Sequence, residues 1–552
     1  MSSGYYSVIF ISWLVIAANF ISATDPTVGL LQNEPDSFIG YTLYTPKLCT
    51  GTYLIDNNGL LINQWQSDYT PSACVYLLEN GNIFRATGLP DPAGGGGGFQ
   101  EISWTGEVLW EYVYGTQHHD IEPMPNGNVL LITNDIKEYD ELIAAGRDST
   151  LIDDVIRSLT ILEIARNDTG GGDIVWAWNA WDHLIQDYDS TKPDYGVVAD
   201  HPELIDLNFA EDGNSDWIHP NSIDYNPDFD QVMVSCRGFS ELWVIDHSTT
   251  TDDAAKHSGG NSGKGGDILY RWGNPRSYSA GDLEDQQLFS QHSVCWIEPG
   301  MPGAGNILIF NNGLDRPAGV FSSVVEITTP VDAQGNYPLL PDSAFAPLEP
   351  VWIYIAETPE DFYSPKFSSA QRFPNGNTLI CSGVGGKFFE IDSLGNTVWQ
   401  YISPVTPSGP VYQGATVKKN DVYSCIRYAP DYPGLAGKDL TPGDPIELYV
   451  VGLTESLPAP RKFALHHNYP NPFNPVTSIR YDLPAQAFVR IRVFDLLGKE
   501  IAVLVNGTQE AGYQSVRWYA TDRFGQPVSA GVYLYQIQAG EFSQTYKMVL
   551  LK

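Results

Sequence analysis

Three histidines are the residues of this chain best suited to chemistry, because they recur at one point of an internal repeat. They occur in the motifs His119-Asp120, His219-Pro220-Asn221 and Gln291-His292-Ser293. If the repeat units surround an axis, equivalent positions converge and these side chains share one pocket. Such a cluster either binds a metal ion through imidazole nitrogens or places a histidine nucleophile beside a bound anion.

The polar neighbours of the histidines favour the anion. Asn221 lies two residues after His219, and alternate residues of a strand point to the same face. Arg237 follows residues 231–236, the strand that we expect to pair with the strand of His219. A guanidinium repels a divalent cation but clamps an oxyanion through hydrogen bonds. We therefore expect an anion pocket that uses no metal and no other cofactor. Its residues are His119, His219, Asn221, Arg237 and His292.

The repeat that carries these residues has two halves, and each half predicts a β-hairpin. One half pairs a short apolar run with an aromatic strand of alternating pattern, as in Val398-Trp399-Gln400-Tyr401. The other half joins two apolar runs by a turn that often reads Asn-Gly-Asn, whose central residues accept positive φ. The aromatic strands are residues 61–65, 108–112, 174–178, 268–272, 350–354 and 397–401, and the turn hairpins are residues 73–86, 119–133, 219–236, 292–310, 368–381 and 414–426.

Six copies of each hairpin predict an all-β fold, a six-bladed β-propeller around a central channel. The chain begins with an aromatic hairpin and ends with a turn hairpin, so residues 52–65 are expected to join residues 414–426 and close the ring. The first strand of each blade lines the channel, and the three histidines therefore meet at its mouth. A seventh partial unit at residues 446–451 leaves the number of blades open by one.

Two insertions interrupt the repeat. Residues 135–159 have a helical pattern in Ile152, Val155, Ile156 and Leu159, which predicts a covering helix. Residues 179–217 either form an aromatic lid over the channel mouth or a surface loop. The aromatic side chains in this second insertion are Trp181, Tyr188, Tyr195, Phe209 and Trp217.

The chain is strongly acidic, with a net charge of −36 over 552 residues. Residues 461–552 carry a net charge of +4, which leaves −40 for residues 1–460, and this change marks a domain boundary. Contacts to nucleic acid need clustered Lys and Arg side chains, so the acidic part excludes nucleic acid as a partner.

The N-terminal residues predict export. Residues 8–22 are apolar but too few for a comfortable membrane span, and Ser22-Ala23 follows as a cleavage point. We interpret residues 1–23 as a signal peptide, and no other segment is apolar enough for a stable membrane span. Export permits disulfides among the six cysteines but does not define their pairing, and their spacing fits neither a zinc knuckle nor a redox Cys-x-x-Cys motif.

The C-terminal segment predicts a separate module. Short strands at residues 477–481, 489–494, 500–505, 514–518, 532–537 and 546–551 are typical of an Ig-like β-sandwich. The expected boundaries are a propeller at residues 24–453, a linker at 454–466 and the sandwich at 467–552.

This module resembles the C-terminal sorting domain of proteins exported by the type IX system of Bacteroidetes-like bacteria. The resemblance implies that the type IX secretion machinery carries the protein across both membranes of a Gram-negative bacterium to the cell surface or the medium. The matching motifs are Asn468-Tyr469-Pro470-Asn471-Pro472-Phe473-Asn474-Pro475, Phe494-Asp495-Leu496-Leu497-Gly498, Ser529-Ala530-Gly531-Val532-Tyr533 and Lys547-Met548-Val549-Leu550.

Most of residues 40–450 resemble the bacterial arylsulfate sulfotransferase family. The motifs that carry the resemblance are Asp216-Trp217-Ile218-His219-Pro220-Asn221-Ser222-Ile223, Val234-Ser235-Cys236-Arg237, Gln291-His292-Ser293, Asn306-Ile307-Leu308-Ile309-Phe310-Asn311-Asn312-Gly313, His118-His119-Asp120-Ile121 and Trp181-Asp182-His183-Leu184. Pro220 departs from the expected pattern, because it offers no backbone N–H to a sulfate oxygen.

The resemblance implies a six-bladed propeller that moves a sulfuryl group from an aryl sulfate to a phenol without the nucleotide donor PAPS. It implies a ping-pong reaction in which His292 is transiently sulfated, with His219 and Arg237 as further catalytic residues and His119 and Asn221 as sulfate-binding residues. Either His119 or His219 exchanges the phenol proton. The natural donor and acceptor stay open.

Two other functional classes remain compatible with the sequence. One is a secreted propeller without catalytic activity that binds a glycan or a protein partner. The other is a propeller enzyme that depends on a metal ion or a quinone. The first class predicts that His292→Ala leaves ligand binding and any activity unchanged, and the second predicts a tightly bound metal or cofactor in the purified protein.

Overall fold

The described residues of the computed structural model are 26–88, 97–209, 215–340, 343–448, 460, 462–466, 468, 471, 473 and 475–551. They separate into two compact units, one within Pro26–Tyr449 and one within Val450–Lys552. The predicted signal peptide lies outside the described residues, as do residues 454–459 of the predicted linker. Where the chain is described, no helix is both long enough and apolar enough to cross a bilayer.

The larger unit is built mainly from antiparallel sheets of four strands, one of which gains a fifth strand from the chain's beginning. The last strand of each four-stranded repeat is one of the predicted aromatic strands, which confirms that part of the sequence interpretation. In order along the chain, the sheets are sheet 1 (Val422–Tyr428, Tyr41–Pro46, Gly51–Asp56, Leu61–Gln66), sheet 2 (Thr70–Leu77, Ile83–Gly88, Gly97–Ile102, Val108–Tyr114), sheet 3 (Gln117–Pro123, Val129–Lys137, Ile156–Arg166, Gly172–Asn179), sheet 4 (Pro220–Asn226, Gln231–Cys236, Glu241–Asp246, Tyr270–Trp272), sheet 5 (His292–Trp296, Ile307–Asn311, Ser323–Ile327, Trp352–Tyr354) and sheet 6 (Ser369–Arg372, Thr378–Ser382, Lys387–Ile391, Thr397–Ile402, with Gly29–Asn33 at its edge).

The first strand of each sheet contacts the first strand of the next, and the series closes because Val422–Tyr428 contacts Thr70–Leu77. Side chains reinforce these contacts. The Ile223 backbone N–H donates to Asp120 Oδ2 at 3.2 Å, and the Val294 N–H donates to Ser222 Oγ at 3.0 Å. Equivalent strand starts are therefore brought together at one end of the ring.

The closure differs from the sequence prediction in its strands. Residues 414–421 form no strand, so the predicted hairpin at 414–426 is wrong. The end of the unit contributes only Val422–Tyr428, which pairs with Tyr41–Pro46 instead. Asn420, predicted to lie in the hairpin turn, instead donates its side-chain amide to Gly385 O and Ser403 O and caps loops of sheet 6. The predicted partial unit at 446–451 forms no strand within residues 446–448, and its remainder is not described.

The insertion at residues 135–159, predicted as a covering helix, is helical elsewhere than at the four residues that suggested it. Ile156 and Leu159 belong to the strand Ile156–Arg166, in which both are buried and Ile156 pairs with Lys137. The insertion does contain a helix, Tyr139–Ala145, which begins with a capping box of Glu138 and Glu141 and ends at Gly146. Ile152 and Val155 lie in the loop before this strand, and most of the strand is buried without alternation, so the three- and four-residue apolar spacing has no helical origin.

The remaining elements of the larger unit are short. They are the helix Thr251–Ala254, the 3-10 segments Ser149–Leu151, Ala180–Asp182, Val198–Asp200, Arg237–Phe239, Pro275–Tyr278, Pro359–Asp361 and Pro433–Leu435, and two-stranded sheets that pair Leu184–Ile185 with Ile205–Asp206 and Val405–Thr406 with Gly409–Pro410.

A buried ion pair ties together the sheets in which the two ends of the unit meet. Nη1 of Arg427 in sheet 1 lies 2.5 Å from Glu390 Oε2 in sheet 6, and both side chains are fully buried. The Arg427 Nε donates to Thr42 Oγ1 at 2.9 Å, which extends the link to the neighbouring strand. The closing strand is therefore held by charge as well as by its backbone ladder.

The six cysteines are free thiols, and only Cys295 is partly exposed. Burial raises the pKa of the Cys49 thiol to about 11 and that of Cys74 well above its usual value. Neutral, buried thiols are poor nucleophiles, so these residues offer no thiolate chemistry to the unit.

The smaller unit consists of two sheets that share one apolar core. Strand Thr477–Leu483 alternates buried and partly exposed residues, and Ile479, Leu483, Ile491 and Trp518 all lie in the core. The six predicted strands of this segment are confirmed. One sheet comprises Ala464–Leu465, Thr477–Leu483 and Gly512–Trp518, and the other comprises Glu500–Gln509, Ala487–Asp495, Gly531–Ala539 and Phe542–Leu550.

Candidate active site

In four sheets of the larger unit, a residue with positive φ lies at or near the start of the first strand. These residues are His119 (φ 57°), His219 (φ 47°), Ser293 (φ 48°) and Ser368 (φ 90°). Positive φ is uncommon for residues other than glycine and accumulates at functional sites. The repeat therefore places the same backbone kink where the sequence places the three histidine motifs.

His292 is held by Asn312, and this contact fixes its tautomer. The His292 Nδ1 lies 2.8 Å from Asn312 Oδ1. The Asn312 amide nitrogen donates to Ser364 O at 2.7 Å and to Phe367 O at 3.1 Å, so Oδ1 must be the acceptor toward the imidazole. The ring proton of His292 is therefore on Nδ1, and Nε2 presents a lone pair.

The electrostatic surroundings keep His292 neutral. Burial lowers its pKa to about 3, against the opposing effect of the Asn312 hydrogen bond, and the charges of His219 and Arg237 lower it further. Only 2% of His292 is exposed. A neutral imidazole with an unprotonated Nε2 is able to act as a nucleophile at neutral pH.

His118 and His119 form a pair of neighbouring imidazoles. His118 Nδ1 lies 3.1 Å from Pro220 O, which can only accept, and His119 Nδ1 lies 2.9 Å from the same His118 nitrogen. His119 Nδ1 therefore accepts, and the proton of neutral His119 is on Nε2. Burial lowers the pKa of His118 to about 4 and that of His119 well below its usual value. Neutral His119 thus offers an N–H donor without a charge.

His219 forms a dyad with Asp216. The ring centroid of His219 lies 5.1 Å from that of His119, and its Nδ1 lies 2.5 Å from Asp216 Oδ2. Burial raises the pKa of Asp216, but the hydrogen bond from His219 and the nearby charges of His219, His118 and Arg157 together outweigh this effect, and the net shift is downward. An ionised Asp216 accepts from Nδ1, which leaves Nε2 of His219 as the atom that gains or releases a proton.

Two cationic side chains belong to the same neighbourhood. Arg237 begins the 3-10 segment Arg237–Phe239, its backbone N–H donates to His219 O at 3.1 Å, and its charge lowers the pKa of His292. The Lys47 Nζ lies 4.4 Å from the ring centroid of Phe367. Burial lowers the pKa of Lys47 to about 8, so it stays mostly protonated at neutral pH.

Asn221 and Tyr423 connect these groups from behind. The ring centroid of Tyr423 lies 5.7 Å from that of His119 and 6.0 Å from that of His292, and its hydroxyl donates to Asn221 O. Asn221 is fully buried, and its amide nitrogen donates to Gln291 O at 2.7 Å. Asn221 thus aligns the start of the strand that carries His292.

Among the described residues, the aromatic rings of the second insertion make no ring contact with the active-site histidines. Trp217 is buried, and its Nε1 donates to Phe209 O at 2.9 Å within the core that also includes Phe239. Tyr188 and Tyr195 are more than half exposed. The ring of Tyr423 contacts the ring of His119, and the ring of Phe367 packs against the other side of Tyr423.

The sequence interpretation missed five residues of this neighbourhood. His118, Asp216 and Asn312 lie within motifs that the sequence singled out, so their proximity to the site was detectable. Lys47 and Tyr423 carry no such signal, because their positions follow from the ring closure. The five are Lys47, His118, Asp216, Asn312 and Tyr423.

No curated protein matches the chain. Among solved structures, the chain has low similarity to a putative 6-phosphogluconolactonase from Bacteroides fragilis (8% identity, TM-score 0.34, covering 71% of this chain and 99% of that chain), virginiamycin B lyase from Staphylococcus aureus (10%, 0.31, 69% and 90%) and hydrazine synthase from Kuenenia stuttgartiensis (13%, 0.32, 54% and 71%). Such distant similarities carry no functional information.

Two segments match protein families. Residues 467–551 match the secretion system C-terminal sorting domain, so the protein is exported through type IX secretion to the cell surface or beyond it. Residues 42–413, which include all the site residues of sheets 3 to 5, match the arylsulfotransferase (ASST) family. The chain therefore belongs to the arylsulfotransferase family.

Proposed function

We propose that this protein transfers a sulfuryl group from an aryl sulfate to a phenol, through a covalent intermediate on His292 Nε2. The observation that carries the proposal is the fixed tautomer of His292: Asn312 holds the proton on Nδ1, and burial keeps the ring neutral. A nucleophile with a permanent lone pair needs no general base before it attacks.

In the first half reaction, the His292 Nε2 lone pair forms a bond to sulfur while the bond from sulfur to the aryl oxygen breaks. The negative charge of the sulfuryl group spreads over three oxygens in a loose transition state, as in phosphoryl transfer. Arg237 and the Nε2–H of neutral His119 are the donors suited to these oxygens, and the remaining amide hydrogen of Asn221 is a third.

His219 is the group best suited to the phenol proton. Its Nδ1 is committed to the ionised Asp216, which stabilises an imidazolium, so Nε2 can protonate the leaving phenolate and later accept the proton of the incoming phenol. The low pKa of His119 makes that residue a poor proton carrier. In the second half reaction, the acceptor oxygen bonds to sulfur, the bond from sulfur to Nε2 breaks, and His292 returns to its starting state.

The scaffold of this reaction is, in our proposal, a six-bladed propeller at residues 24–453, with sheets 1 to 6 as its blades. The closed series of first-strand contacts supports this count. We further propose that residues 454–466 are a linker and that residues 467–552 form an Ig-like sandwich, which agrees with the two sheets and shared core of the smaller unit.

A kinetic assay with nitrophenyl sulfate as donor and phenol as acceptor tests the proposal. We expect nitrophenol release that depends on phenol, parallel double-reciprocal lines at different acceptor concentrations, and full activity after dialysis against a chelator. Absence of transfer with a panel of aryl sulfates and phenols, or intersecting lines, would contradict the ping-pong reaction.

The acid side of the pH profile provides a second test. The pKa of His292 is lowered to about 3, so its nucleophilic form persists until the pH approaches that value. We expect the rate of the first nitrophenol burst to stay level from about pH 8 to about pH 5, where an unperturbed histidine loses most of its neutral form. Nitrophenolate is a good leaving group, so this burst does not need the His219 proton. A rate that falls in proportion to acidity below about pH 6.5 would contradict the assignment.

Replacing Arg237 tests the oxyanion clamp. We expect Arg237→Ala to lower kcat by about 100- to 1000-fold, because it removes charge-assisted donors from the transition state. Arg237→Lys is expected to recover only part of the loss, since an ammonium lacks the planar fork. Arg166→Ala is the matched control, because that arginine is about half exposed at the end of the third strand of sheet 3. Equal kcat in Arg237→Ala and the control would remove Arg237 from the mechanism.

A further inference from the structure

A second cluster of ligating side chains lies apart from the active-site histidines. His183 follows the last strand of sheet 3, whereas His257 and Asp267 belong to the loop between the third and fourth strands of sheet 4. One nitrogen of each histidine and one oxygen of Asp267 all lie within 4.8 Å of one another. We propose that this cluster is a divalent metal site of the zinc type, formed by His183 Nδ1, His257 Nδ1 and Asp267 Oδ1.

The two imidazoles converge on a single carboxylate oxygen. The His183 Nδ1 lies 2.8 Å from Asp267 Oδ1, and the His257 Nδ1 lies 2.7 Å from the same atom. Ligands around a tetrahedral zinc ion lie about 3.3 Å apart when the metal bonds are about 2.0–2.1 Å long. Admitting the ion requires the Asp267 carboxylate to move away from the fixed His183 ring, together with an outward movement of the His257 side chain, which is 62% accessible.

The tautomer of His183 leaves Nδ1 facing an acceptor. Its Nε2 lies 2.8 Å from Ala254 O, a carbonyl that can only accept, so the proton of a neutral ring is on Nε2. The Nδ1 atom then faces the Asp267 carboxylate, a contact that either a ring proton or a metal ion between the two atoms makes favourable. A backbone carbonyl that holds the distal N–H of a histidine is also the usual outer contact of a metal ligand.

The ligand set and its surroundings favour a zinc-like ion. Two imidazoles with one carboxylate suit Zn²⁺ and similar transition metals, whereas Ca²⁺ and Mg²⁺ prefer oxygen ligands throughout. The His183 ring is fully buried and stacks on Trp178 at a centroid distance of 5.5 Å and an interplanar angle of 5°. The position of this ligand is therefore fixed before a metal binds.

A metal at this position would fasten the second insertion to sheet 4. The insertion starts beside His183 and ends at Asp216 and His219, which belong to the proposed proton dyad. The Ile268 N–H already donates to Glu203 O at 3.0 Å, which links the insertion to the loop of sheet 4. Zinc would add a strong bond between the same two segments.

Isothermal titration calorimetry of the chelator-treated full chain with ZnCl₂ tests the proposal, together with the melting temperature of the protein with and without zinc. We expect one tight site in the wild type, its loss or an affinity reduced by about 100-fold or more in His257→Ala, and a raised melting temperature only when the site is intact. His257 is mostly exposed, so this variant should fold. His201→Ala is the matched control, because His201 is a half-exposed histidine of the same insertion.

Competition and spectroscopy complete the test. We expect Co²⁺ to give the strong visible absorption of a tetrahedral centre in the wild type but not in His257→Ala, and CaCl₂ to give no binding heat at this site. His119→Ala should keep the tight site, which separates it from the active-site histidines. Equal zinc stoichiometry and affinity in the wild type and His257→Ala, or loss of the site in His119→Ala, would overturn the proposal whether or not sulfuryl transfer is observed.

Discussion

His292→Ala is expected to lower the rate of sulfuryl transfer by about four to six orders of magnitude, the loss seen when a covalent nucleophile is removed. Alanine has no group that can bond to sulfur, and the other imidazoles near the site are not equivalent: His118 and His119 use Nδ1 within their own pair, and His219 is committed to Asp216. Steady-state release of nitrophenol measures the effect.

The fold is expected to survive this change. His292→Ala leaves Asn312 Oδ1 without its imidazole partner, and an unsatisfied buried acceptor costs about 1–3 kcal/mol. Circular dichroism and the urea midpoint check that the variant is folded. His201→Ala is again the matched control, since its imidazole is half exposed and pairs only with Glu203. Activity of a folded His292→Ala within tenfold of the control would reject His292 as the nucleophile.

Alanine at position 390 is expected to destabilise the larger unit by about 3–5 kcal/mol, because it leaves the buried Arg427 charge without its counter-ion. The carboxylate of Glu390 also accepts from the Phe38 N–H at 2.6 Å and from Asn377 Nδ2 at 2.6 Å. Burial raises the pKa of Glu390 and lowers that of Arg427, so each charge depends on the other. Urea denaturation followed by tryptophan fluorescence measures the loss.

Two further variants separate the charge from the truncation. Glu360→Ala removes an exposed carboxylate from the same unit and is expected to change the free energy of unfolding by less than about 0.5 kcal/mol. The double variant Glu390→Gln with Arg427→Met removes both charges and is expected to be more stable than Glu390→Ala. If Glu390→Ala matches Glu360→Ala, the ion pair does not hold the closing strand.

The alternating aromatic pattern predicted most of the fold, because period-two burial and Asn-Gly turns are local properties. In Val398-Trp399-Gln400-Tyr401, for example, Trp399 and Tyr401 are fully buried on one face, as the sequence indicated. The closure could not be predicted in the same way. The strand Val422–Tyr428 pairs with Tyr41–Pro46, which lies nearly 380 residues earlier in the chain. A local sequence pattern does not reveal such a distant partner, so it could not show that residues 414–421 form no strand.

The predicted site residues divide along similar lines. His119, His219 and His292 share a repeat position, so the sequence could bring them together, and Arg237 follows the strand that pairs with that of His219. The functions of the individual nitrogens could not be predicted, because they depend on Asn312, Pro220 O and Asp216. The prediction that His119 or His219 exchanges the proton stays a prediction, and the structure favours His219.

Mass spectrometry of the intact and digested protein after reaction with nitrophenyl sulfate tests the central proposal most directly. With no acceptor present, we expect one SO₃ adduct on the peptide that contains His292. The adduct should disappear when phenol is added, and His292→Ala should form no adduct. A wild-type enzyme that turns over without an adduct, or an adduct that persists in His292→Ala, would contradict the proposal.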